Sequence, residues 1–398
     1  MSTLEKPKLK IGIIGAGVAG LSAALLLKKL GHKVSIFERA NKLERLGAGI
    51  QISSNGRFVL DQLMLDNEVL SLASKPTALA LFDASREHQI GKVEIRNRLK
   101  RRYKREFLVL QRADLINVLY NQIKKEKINI WFGSNTKPRN SRNKIMISIS
   151  DKNKHLEKDL IVVADGVNSL WKKVLLKENK FKPISQSAYR FTIKSKYLPE
   201  KFVNDDINLF LDGGKHFVFY KLSKKKLVNF VFCKRENSKV IRSWREKISK
   251  EIFFKEFGRS DILESVTERI EHVYKWPIIQ SQIPKTLTKN NVVFIGDAAH
   301  GMLPNLAQGA NKALEDSWCL NKILQNQSFD LKTQLNRYSK GRLDRLKKLD
   351  KASVNNEKIY HLENLFLRQI TKLFLRLILK YTPGVIFWRL DWIYKFKG

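Results

Sequence analysis

A glycine-rich turn near the start of the chain carries the clearest chemical signal in the sequence. A mostly apolar run, Lys10–Ile14, has the length of a buried strand, and it leads into Gly15-Ala16-Gly17-Val18-Ala19-Gly20 and an Ala- and Leu-rich helix pattern. Gly15 permits a tight bend, Gly17 lets a phosphate approach the backbone, and Gly20 lets the helix pack on the strand. The N–H groups at the helix start favour phosphate. The turn predicts a bound dinucleotide; an ordinary strand–turn–helix is the alternative.

A carboxylate follows at the spacing of a ribose-binding residue. Glu38 and Arg39 come directly after a second strand pattern, Lys33–Phe37. Dinucleotide sites place an acid about 20 residues beyond the glycine turn, where it accepts hydrogen bonds from a ribose. We therefore assign Glu38, with Arg39 beside it, to the adenosine end of the ligand.

A second strand-and-turn pattern lies far along the chain. The buried-strand pattern at residues 291–295 ends in Gly296 and Asp297, and the loop at 304–308 leads into a helix pattern from Gly309. Ligand-binding groups gather at the carboxyl ends of parallel strands. The positive end of this second helix would stabilise negative charge on a reduced flavin ring. The two sites together favour FAD over NAD as the resident cofactor.

The elements that must position these residues follow two patterns and indicate an α/β protein. Buried strands alternating with helices predict a Rossmann-like parallel sheet, whereas short alternating strands between about 185 and 271 predict a half-buried antiparallel sheet. We expect a discontinuous FAD-binding domain of residues 1–75, 111–180 and 277–350, and a substrate domain of residues 76–110 and 181–276. We expect residues 351–398 to form a C-terminal helical extension.

Shorter elements are also predicted. Helices are expected at about 58–72 and 240–257, and a further helix opens at Gln111 with Leu115, Leu119 and Ile123 on one face. Alternating stretches between residues 76 and 110 predict strands. The small residues at 46–52 predict a loop that can lie against a flat ligand.

The order of several motifs resembles that of the single-component flavoprotein aromatic hydroxylases, the group A monooxygenases. Within this family the chain is most similar to the salicylate hydroxylase and 3-hydroxybenzoate 6-hydroxylase types, over about residues 10–350. The motifs are Gly15-Ala16-Gly17-Val18-Ala19-Gly20, Arg112-Ala113-Asp114-Leu115, Asp165-Gly166-Val167-Asn168-Ser169, Gly296-Asp297-Ala298-Ala299-His300, Leu303-Pro304 and Ala307-Gln308-Gly309-Ala310-Asn311.

The resemblance implies non-covalent FAD and transient NADH or NADPH. In the family, the motif at Asp165 usually closes with an arginine after the serine, whereas here Trp171-Lys172-Lys173 follows, so the choice between NADH and NADPH stays open. Arg112 would lie along the FAD and Asp297 would contact its ribityl–pyrophosphate part. The residues that the resemblance assigns to cofactor binding are Gly15, Ala16, Gly17, Ala19, Gly20, Glu38, Arg39, Ala48, Gly49, Arg112, Asp165, Gly166, Gly296, Asp297, Pro304, Gly309, Ala310 and Asn311.

The resemblance also implies hydroxylation of a small phenolic or heteroaromatic acid, with O₂ as oxidant and a flavin C4a-hydroperoxide as the oxygen donor. A base or proton relay near the ring would deprotonate a phenol. His216 and Tyr220 are four apart on one predicted strand, so they face the same side, and they match a His and a Tyr of hydroxybenzoate hydroxylases. Gln308 could position the substrate hydroxyl and Arg190 could meet a carboxylate. The alternatives are ordinary packing in the sheet for His216 and Tyr220, and a position on the protein surface for Arg190.

The charge of the chain is strongly positive. Its 398 residues include 76 Lys and Arg but 38 Asp and Glu, a formal net charge of +38. This balance favours anionic partners, although a lysine-rich host composition explains it equally. No nucleic-acid-binding motif accompanies the charge, so we expect no specific nucleic-acid partner. Cys233 and Cys319 have no metal-ligand spacing, so we expect no metal site and a reducing, cytoplasmic location.

The C-terminal segment combines apolar, aromatic and basic residues. Apolar residues including Phe366, Ile370 and Phe374 recur at helical spacing, beside a basic row of Arg368, Lys372, Arg376 and Lys380. We expect this helix to close over the substrate domain or to contact the second copy of a homodimer. The alternative is weak attachment to the inner face of an anionic membrane.

Two other functions remain open on the sequence alone. Attachment to a membrane would suit a hydroxylase that acts on a lipophilic quinone precursor. The strong positive charge would suit a basic interaction protein that holds FAD without turnover.

Overall fold

The computed structural model describes residues 8–43, 48–141, 144–149, 154–177, 181–182, 186–236, 246–258, 261–326 and 328–398. Two predicted features lie partly outside these ranges. They are the glycine loop at residues 46–52 and the start of the helix predicted from residue 240.

The strands of the described residues fall into two large sheets and three small ones. In chain order they are β1 Lys10–Ile14, β2 Lys33–Phe37, β3 Gly49–Ile52, β4 Ala78–Asp83, β5 His88–Glu94, β6 Leu108–Gln111, β7 Asn129–Trp131, β8 Thr136–Ser141, β9 Lys144–Ile149, β10 Lys154–Leu156, β11 Leu160–Val163, β12 Phe181–Lys182, β13 Gln186–Lys194, β14 Ile207–Asp212, β15 Lys215–Leu222, β16 Leu227–Arg235, β17 Glu246–Ile248, β18 Val273–Pro277, β19 Gln280–Ser281, β20 Thr288–Lys289 and β21 Val292–Phe294.

The α-helices of the same residues cover both large sheets and form the C-terminal end of the chain. In chain order they are α1 Val18–Lys29, α2 Ser54–Gln62, α3 Asp66–Leu72, α4 Arg96–Tyr103, α5 Arg112–Lys125, α6 Leu170–Leu176, α7 Lys250–Phe257, α8 Asp261–Thr267, α9 Gly309–Gln325, α10 Leu331–Tyr360, α11 Leu365–Tyr381 and α12 Gly384–Tyr394.

The first large sheet confirms the predicted Rossmann-like architecture. Its strands lie in the order β20-β21-β11-β1-β2-β7, parallel except for the edge strand β20. Because β1 lies between β11 and β2, the loops after all three strands meet at one edge of the sheet. Helix α1 is buried from Val18 to Leu27, in keeping with its Ala- and Leu-rich sequence. Ser22 of α1 and Ser317 of α9 join the two helices through hydroxyl oxygens 2.8 Å apart.

The second large sheet is antiparallel apart from one parallel pair, β4 with β14. Its order is β17-β18-β13-β16-β15-β14-β4-β5. Phenylalanine rings on one face, such as Phe230 and Phe232, pack with Phe253 of α7 and Ile262 of α8. The predicted antiparallel sheet is therefore confirmed, and α7 and α8 bury its phenylalanine face. The opposite face adjoins the cavities described below.

Local differences from the predicted elements have identifiable causes. A single helix predicted at 58–72 is divided into α2 and α3, because Met64 between them adopts a positive φ of 61°. Helix α4 lies where strands were predicted; it buries only Leu99 and Tyr103, too few apolar residues to mark a helix. The helix predicted from residue 240 begins at Lys250, after strand β17.

The C-terminal helices extend the fold over the antiparallel sheet. Helix α12 is anchored to α4, since the Tyr103 hydroxyl donates to the Phe387 carbonyl at 2.9 Å and Arg102 pairs with Asp391 at 2.6 Å. No helix among the described residues is both long and apolar enough to span a bilayer. The boundary predicted at residue 351 falls within α10, and the division into three domains stays a prediction.

Candidate functional site

Two adjoining cavities lie between the sheets. The larger, of about 340 Å³, extends from the glycine turn after β1 to the N-terminus of α9. The smaller, of about 220 Å³, lies under α12. Both are lined by Gln51, Val218, Pro304, Ala307 and Gln308, so the two cavities meet at these residues.

The glycine turn has the geometry that a bound phosphate requires. Gly15 has φ of +99°, and a Cβ there would lie 2.5 Å from the Ala164 carbonyl oxygen. A Cβ on Gly20 would lie 2.0 Å from the Gly15 oxygen, so only glycine allows this approach. Gly17 lines the larger cavity and has open space within 4 Å of its Cβ position. A phosphate can therefore approach the backbone at Gly17.

Glu38 lies directly beside this turn. Its carboxylate accepts hydrogen bonds from the backbone N–H groups of Ala16, at 2.7 Å, and Ala40, at 2.8 Å. The side chain thus supports the turn even without a ribose, and its predicted contact with the ribose stays a prediction. Arg39, the next residue, is exposed.

The entrance to α5 and the loop after β11 border the larger cavity. Arg112 begins α5 and lines the cavity, and its N–H donates to the carbonyl of Ala48 at 3.1 Å. Burial raises the pKa of Asp165 to about 6, and its Oδ1 has no hydrogen-bond partner among the described residues. Gly166 has φ of +87° and open space at its Cβ position. These groups present one cation and an unsatisfied acceptor beside the space for a cofactor.

A buried lysine that was not predicted as a site residue contacts Asp297 at the edge of the larger cavity. Lys312, in the first turn of α9, places Nζ 3.0 Å from Asp297 Oδ1 and 3.0 Å from His300 Nδ1. Asp297 opens onto the cavity with 53% of its side chain exposed, and the Lys312 charge holds the pKa of its carboxyl below the usual range. His300 Nε2 lies 2.7 Å from Asp316, so this buried histidine links the loop after β21 to α9. In the sequence, only the position of Lys312 one turn into the predicted helix at Gly309 indicated that it could reach this site.

Arg190 and Tyr220 line the larger cavity from the antiparallel sheet. Arg190 Nε is buried without a hydrogen-bond partner among the described residues. Burial raises the pKa of Tyr220, so its hydroxyl is protonated at neutral pH. A Cβ on Gly49 would lie 2.6 Å from that hydroxyl oxygen, so the strand at Gly49 approaches Tyr220 as closely as glycine allows.

The smaller cavity is apolar and uncharged. No described residue that lines it carries a charged side chain, since burial and the neighbouring His361 hold the pKa of His216 well below its usual value. Most of the wall is aliphatic or aromatic, and α12 supplies one side. The residues that define it best are Leu79, Ile207, Leu209, Tyr360, Phe387 and Tyr394.

His216 and Tyr220 share a face of β15, as predicted, but they line different cavities. His216 lines the smaller cavity, Tyr220 the larger, and Val218 between them lines both. Strand geometry accounts for this, because residues four apart are separated by about 13 Å. The structure therefore places only His216 where it can meet a molecule in the smaller cavity.

A chain of titratable side chains runs from His216 away from the cavity. His216 Nδ1 lies 2.7 Å from His361 Nε2, and His361 Nδ1 lies 3.2 Å from Glu357 Oε1. Glu357 pairs in turn with Arg235, at 2.8 Å. His361 and Glu357 were not predicted as site residues, because they lie at the C-terminal end of α10 with no motif around them.

Gln308 lies at the junction of the cavities, and its amide is already hydrogen-bonded. Its Oε1 accepts from Asn55 at 2.9 Å, and its Nε2 donates to the Ser53 hydroxyl at 3.0 Å. One further N–H and one lone pair remain for a ligand. The larger cavity is also lined by Pro304, Gly309 and Ala310. Asn311 Oδ1 accepts a hydrogen bond from the Ser53 backbone N–H at 3.0 Å.

The larger cavity fits FAD. It offers an open glycine turn, the N-terminus of α9 and the cations Arg112 and Lys312, all of which favour a phosphate or a negatively charged flavin. The unpaired polar atoms at Asp165 and Arg190 suit a ligand rich in hydrogen-bonding groups.

Comparison with known proteins also identifies the chain as an FAD-binding protein. The family model described as FAD binding domain matches residues 8–353, and the chain therefore belongs to that family, as an FAD-dependent monooxygenase of aromatic compounds. The chain is 25% identical to the 3-amino-4-hydroxybenzoate 2-monooxygenase of Streptomyces cremeus, covering 89% of this chain and 88% of that protein. It is 25% identical to the 3-hydroxybenzoate 6-hydroxylase 1 of Aquipseudomonas alcaligenes, covering 88% and 89%.

A solved structure supports the fold independently of sequence. The Klebsiella pneumoniae HpxO structure complexed with FAD and uric acid matches with a TM-score of 0.84 at 19% identity, over 98% of this chain and 97% of that chain. The predicted family, the FAD cofactor and the oxidoreductase class are thereby confirmed. A protein that holds FAD without turnover is not supported.

Proposed function

We propose that the protein hydroxylates a small phenolic or heteroaromatic acid, using O₂ and either NADH or NADPH. The observation that carries the proposal is the uncharged 220 Å³ cavity, which contains His216 and meets the cofactor cavity at Gln308. A cavity of about 150 Å³ holds a benzene ring, so this one suits a single substituted ring. The two curated relatives named above act, by their names, on ring acids of this size.

The cofactor would lie in the larger cavity. Gly15, Gly17 and Gly20 would receive its pyrophosphate, Glu38 its adenosine ribose, and Asp297 its ribityl part. Bound and reduced flavin supplies the activation of O₂ that oxygen transfer to an aromatic ring requires. The N-terminus of α9, at Gly309 and Ala310, would stabilise negative charge on the ring system. Five of the remaining predicted cofactor residues line the same cavity: Ala19, Gly49, Arg112, Gly166 and Pro304. Arg39 is exposed, and the others do not line the cavity: Ala16, Ala48, Asp165, Gly296 and Asn311.

His216 would take the proton from a substrate hydroxyl. If His216 Nδ1–H donates to His361 Nε2, then Nε2 of His216 is an acceptor for the phenol. If His361 Nδ1–H donates to Glu357, one proton can move along the chain without either ring becoming a lasting cation. A phenolate is more electron-rich than a phenol, so the ring becomes a better nucleophile toward the oxygen donor. The buried, neutral state of His216 suits this base.

Arg190 would meet the carboxylate of the substrate. In the sheet Arg190 lies opposite Val231, and Val231 lies opposite Val218, the residue that lines both cavities. Two strand spacings are about 10 Å, which a long side chain and a ring acid can bridge. The ring would then occupy the uncharged cavity while its carboxylate stays at the junction, near the unpaired Nε of Arg190.

A substrate screen tests the proposal. Reduction of the bound flavin by NADH and by NADPH is followed by stopped flow with hydroxybenzoates, aminohydroxybenzoates, hydroxynicotinates and the matching neutral phenols. We expect at least one ring acid to accelerate reduction and to yield a product that carries one atom from ¹⁸O₂. Faster reduction and hydroxylation with neutral phenols alone would contradict the role given to Arg190.

A further inference from the structure

Helix α11 is oriented opposite to an ordinary surface helix. Its apolar residues Phe366, Ile370, Leu373, Phe374, Leu377 and Tyr381 form one continuous face that is exposed, with Phe366 at 72% and Phe374 at 62%. We name these six residues the outer face. A helix on a protein surface normally turns its apolar stripe toward the core. Helix α11 lies against β5 of the antiparallel sheet, but this apolar stripe faces away from the sheet.

Two ion pairs fix this orientation. Arg368 pairs with Asp212 at 3.0 Å, and Lys372 lies 2.5 Å from Asp83, so half of the predicted basic row faces inward. Although burial favours its protonated form, the carboxyl of Asp83 has a lowered pKa because Lys372 is beside it. Leu379 packs on the same inner side, against Gly91 of β5. Rotating α11 to bury the outer face would leave the buried Asp83 without Lys372 and would separate Arg368 from the half-buried Asp212.

The surroundings of the outer face are basic. Arg376 and Lys380 are exposed along one edge of it, since positions 376 and 380 are one turn apart. Trp388, in the helix that follows, is 71% exposed, and Arg389 beside it is also exposed. Helix α12 is tied by Arg102–Asp391 to α4, whose basic residues Arg98, Lys100 and Arg101 are exposed.

These features favour a lipid surface over a second copy of the chain. Apolar and aromatic side chains bordered by Lys and Arg suit the boundary between headgroups and acyl chains of an anionic bilayer. A two-fold contact through the outer face would bring two basic borders together on chains that each carry +38. Juxtaposed like charges oppose association, whereas anionic headgroups would neutralise them.

We propose that the outer face of α11 docks on the surface of an anionic phospholipid bilayer, peripherally and without crossing it. The proposal goes beyond the proposed function, because it concerns where the enzyme works rather than which ring it hydroxylates. Helix α12 would then contact both the proposed substrate cavity and the lipid. Phe387 and Tyr394 line the cavity, whereas Trp388 is exposed. A docked enzyme would thus hold its substrate cavity one helix away from the lipid.

Vesicle sedimentation with the FAD-loaded, full-length protein tests the proposal. The vesicles are phosphatidylcholine alone, or phosphatidylcholine and phosphatidylglycerol in equal amounts. We expect binding to the anionic vesicles only, weakening as salt is added. The double variant Phe374→Glu/Leu377→Glu should bind at least about tenfold more weakly, because it removes two apolar side chains from the interface.

Ile252→Glu is the matched control. Ile252 is an exposed apolar residue on α7, a helix that covers the opposite face of the antiparallel sheet. This variant should bind vesicles like the wild type. Flavin content, melting temperature and lipid-free hydroxylation should be unchanged in both variants, which separates a failure of docking from a failure of the proposed function. Equal binding to both vesicle types, or equal loss of binding in the control, would overturn the proposal. So would a wild-type dimer in lipid-free buffer that the double variant converts to monomers.

Discussion

The imidazole rings of His216 and His361 are in direct contact, with Nδ1 of the first 2.7 Å from Nε2 of the second. One ring belongs to a strand that lines the smaller cavity, and the other to the end of the long helix α10. Their contact links the cavity to Glu357 and Arg235, which are more accessible to water. A proton taken up by His216 in the smaller cavity would therefore have a path toward water.

Replacing His216 with Gln should slow hydroxylation while leaving the protein loaded with FAD. General bases contribute about 10²- to 10⁴-fold to a rate, so we expect a loss within that range. Reducing equivalents should be diverted to hydrogen peroxide, measured as peroxide released per NAD(P)H consumed. Normal coupling in this variant would return His216 to a packing role.

His361→Gln tests the relay beyond the first ring. We expect a smaller loss than in His216→Gln, because the base itself remains, and a change in the pH profile of hydroxylation rather than in substrate KM. Glu357→Gln should shift the profile in the same direction. Unaltered pH profiles in both variants would show that protons leave the cavity by another route.

The histidine pair should make the protein sensitive to acid. Burial lowers the pKa of both rings in the folded state, although Glu357 opposes the effect at His361. Below about pH 6.5 the unfolded chain binds protons that the folded chain does not, so the free energy of unfolding falls as pH falls. Urea unfolding at several pH values should show a flatter dependence for His216→Gln/His361→Gln than for the wild type.

Glu38→Ala should weaken FAD binding. The variant removes the predicted acceptor for the ribose and the carboxylate that holds the N–H of Ala16 at 2.7 Å. A hydrogen bond to a charged group contributes about 1.5–3 kcal/mol, so the Kd for FAD should rise at least about tenfold. Equilibrium dialysis or flavin fluorescence measures the Kd. Glu38→Gln keeps one acceptor oxygen, so its Kd for FAD should lie between those of the wild type and Glu38→Ala. An unchanged Kd in Glu38→Ala would contradict the assignment of Glu38 to the ribose.

Arg190→Met should discriminate between charged and neutral substrates. With the carboxylate partner removed, KM for a ring acid should rise about tenfold or more, whereas KM for the matching neutral phenol should change little. Steady-state kinetics with the two substrates gives the comparison. A parallel loss for both, together with loss of FAD, would place Arg190 at the flavin instead.

Truncation after Thr382 should remove one wall of the substrate cavity. Phe387 and Tyr394 of α12 would be lost, and with them the hydrogen bond from Tyr103 to the Phe387 carbonyl. We expect a lower melting temperature, binding of an apolar dye and more uncoupled peroxide, even without lipid. A truncated enzyme with full activity and an unchanged melting temperature would show that α12 is dispensable.

The sequence by itself determined the features that depend on neighbours along the chain. The turn at Gly15–Gly20, the strand before it and the acid after the next strand follow from local sterics and spacing, so they were predictable. The buried face of α5, with Leu115 and Ile123, followed from helical periodicity. The order of the motifs was enough to identify the family and its cofactor.

The tertiary structure alone decided which side chains share a cavity and which face of a helix is exposed. His216 and His361 meet although they lie 145 residues apart, and no local pattern encodes such a contact. Periodicity gave α11 an apolar stripe, but Asp83 and Asp212, at the ends of two strands, decided that this stripe points outward. Side-chain pairing between distant elements carries that information, because local sequence fixes the pattern of a helix but not what lies beside it.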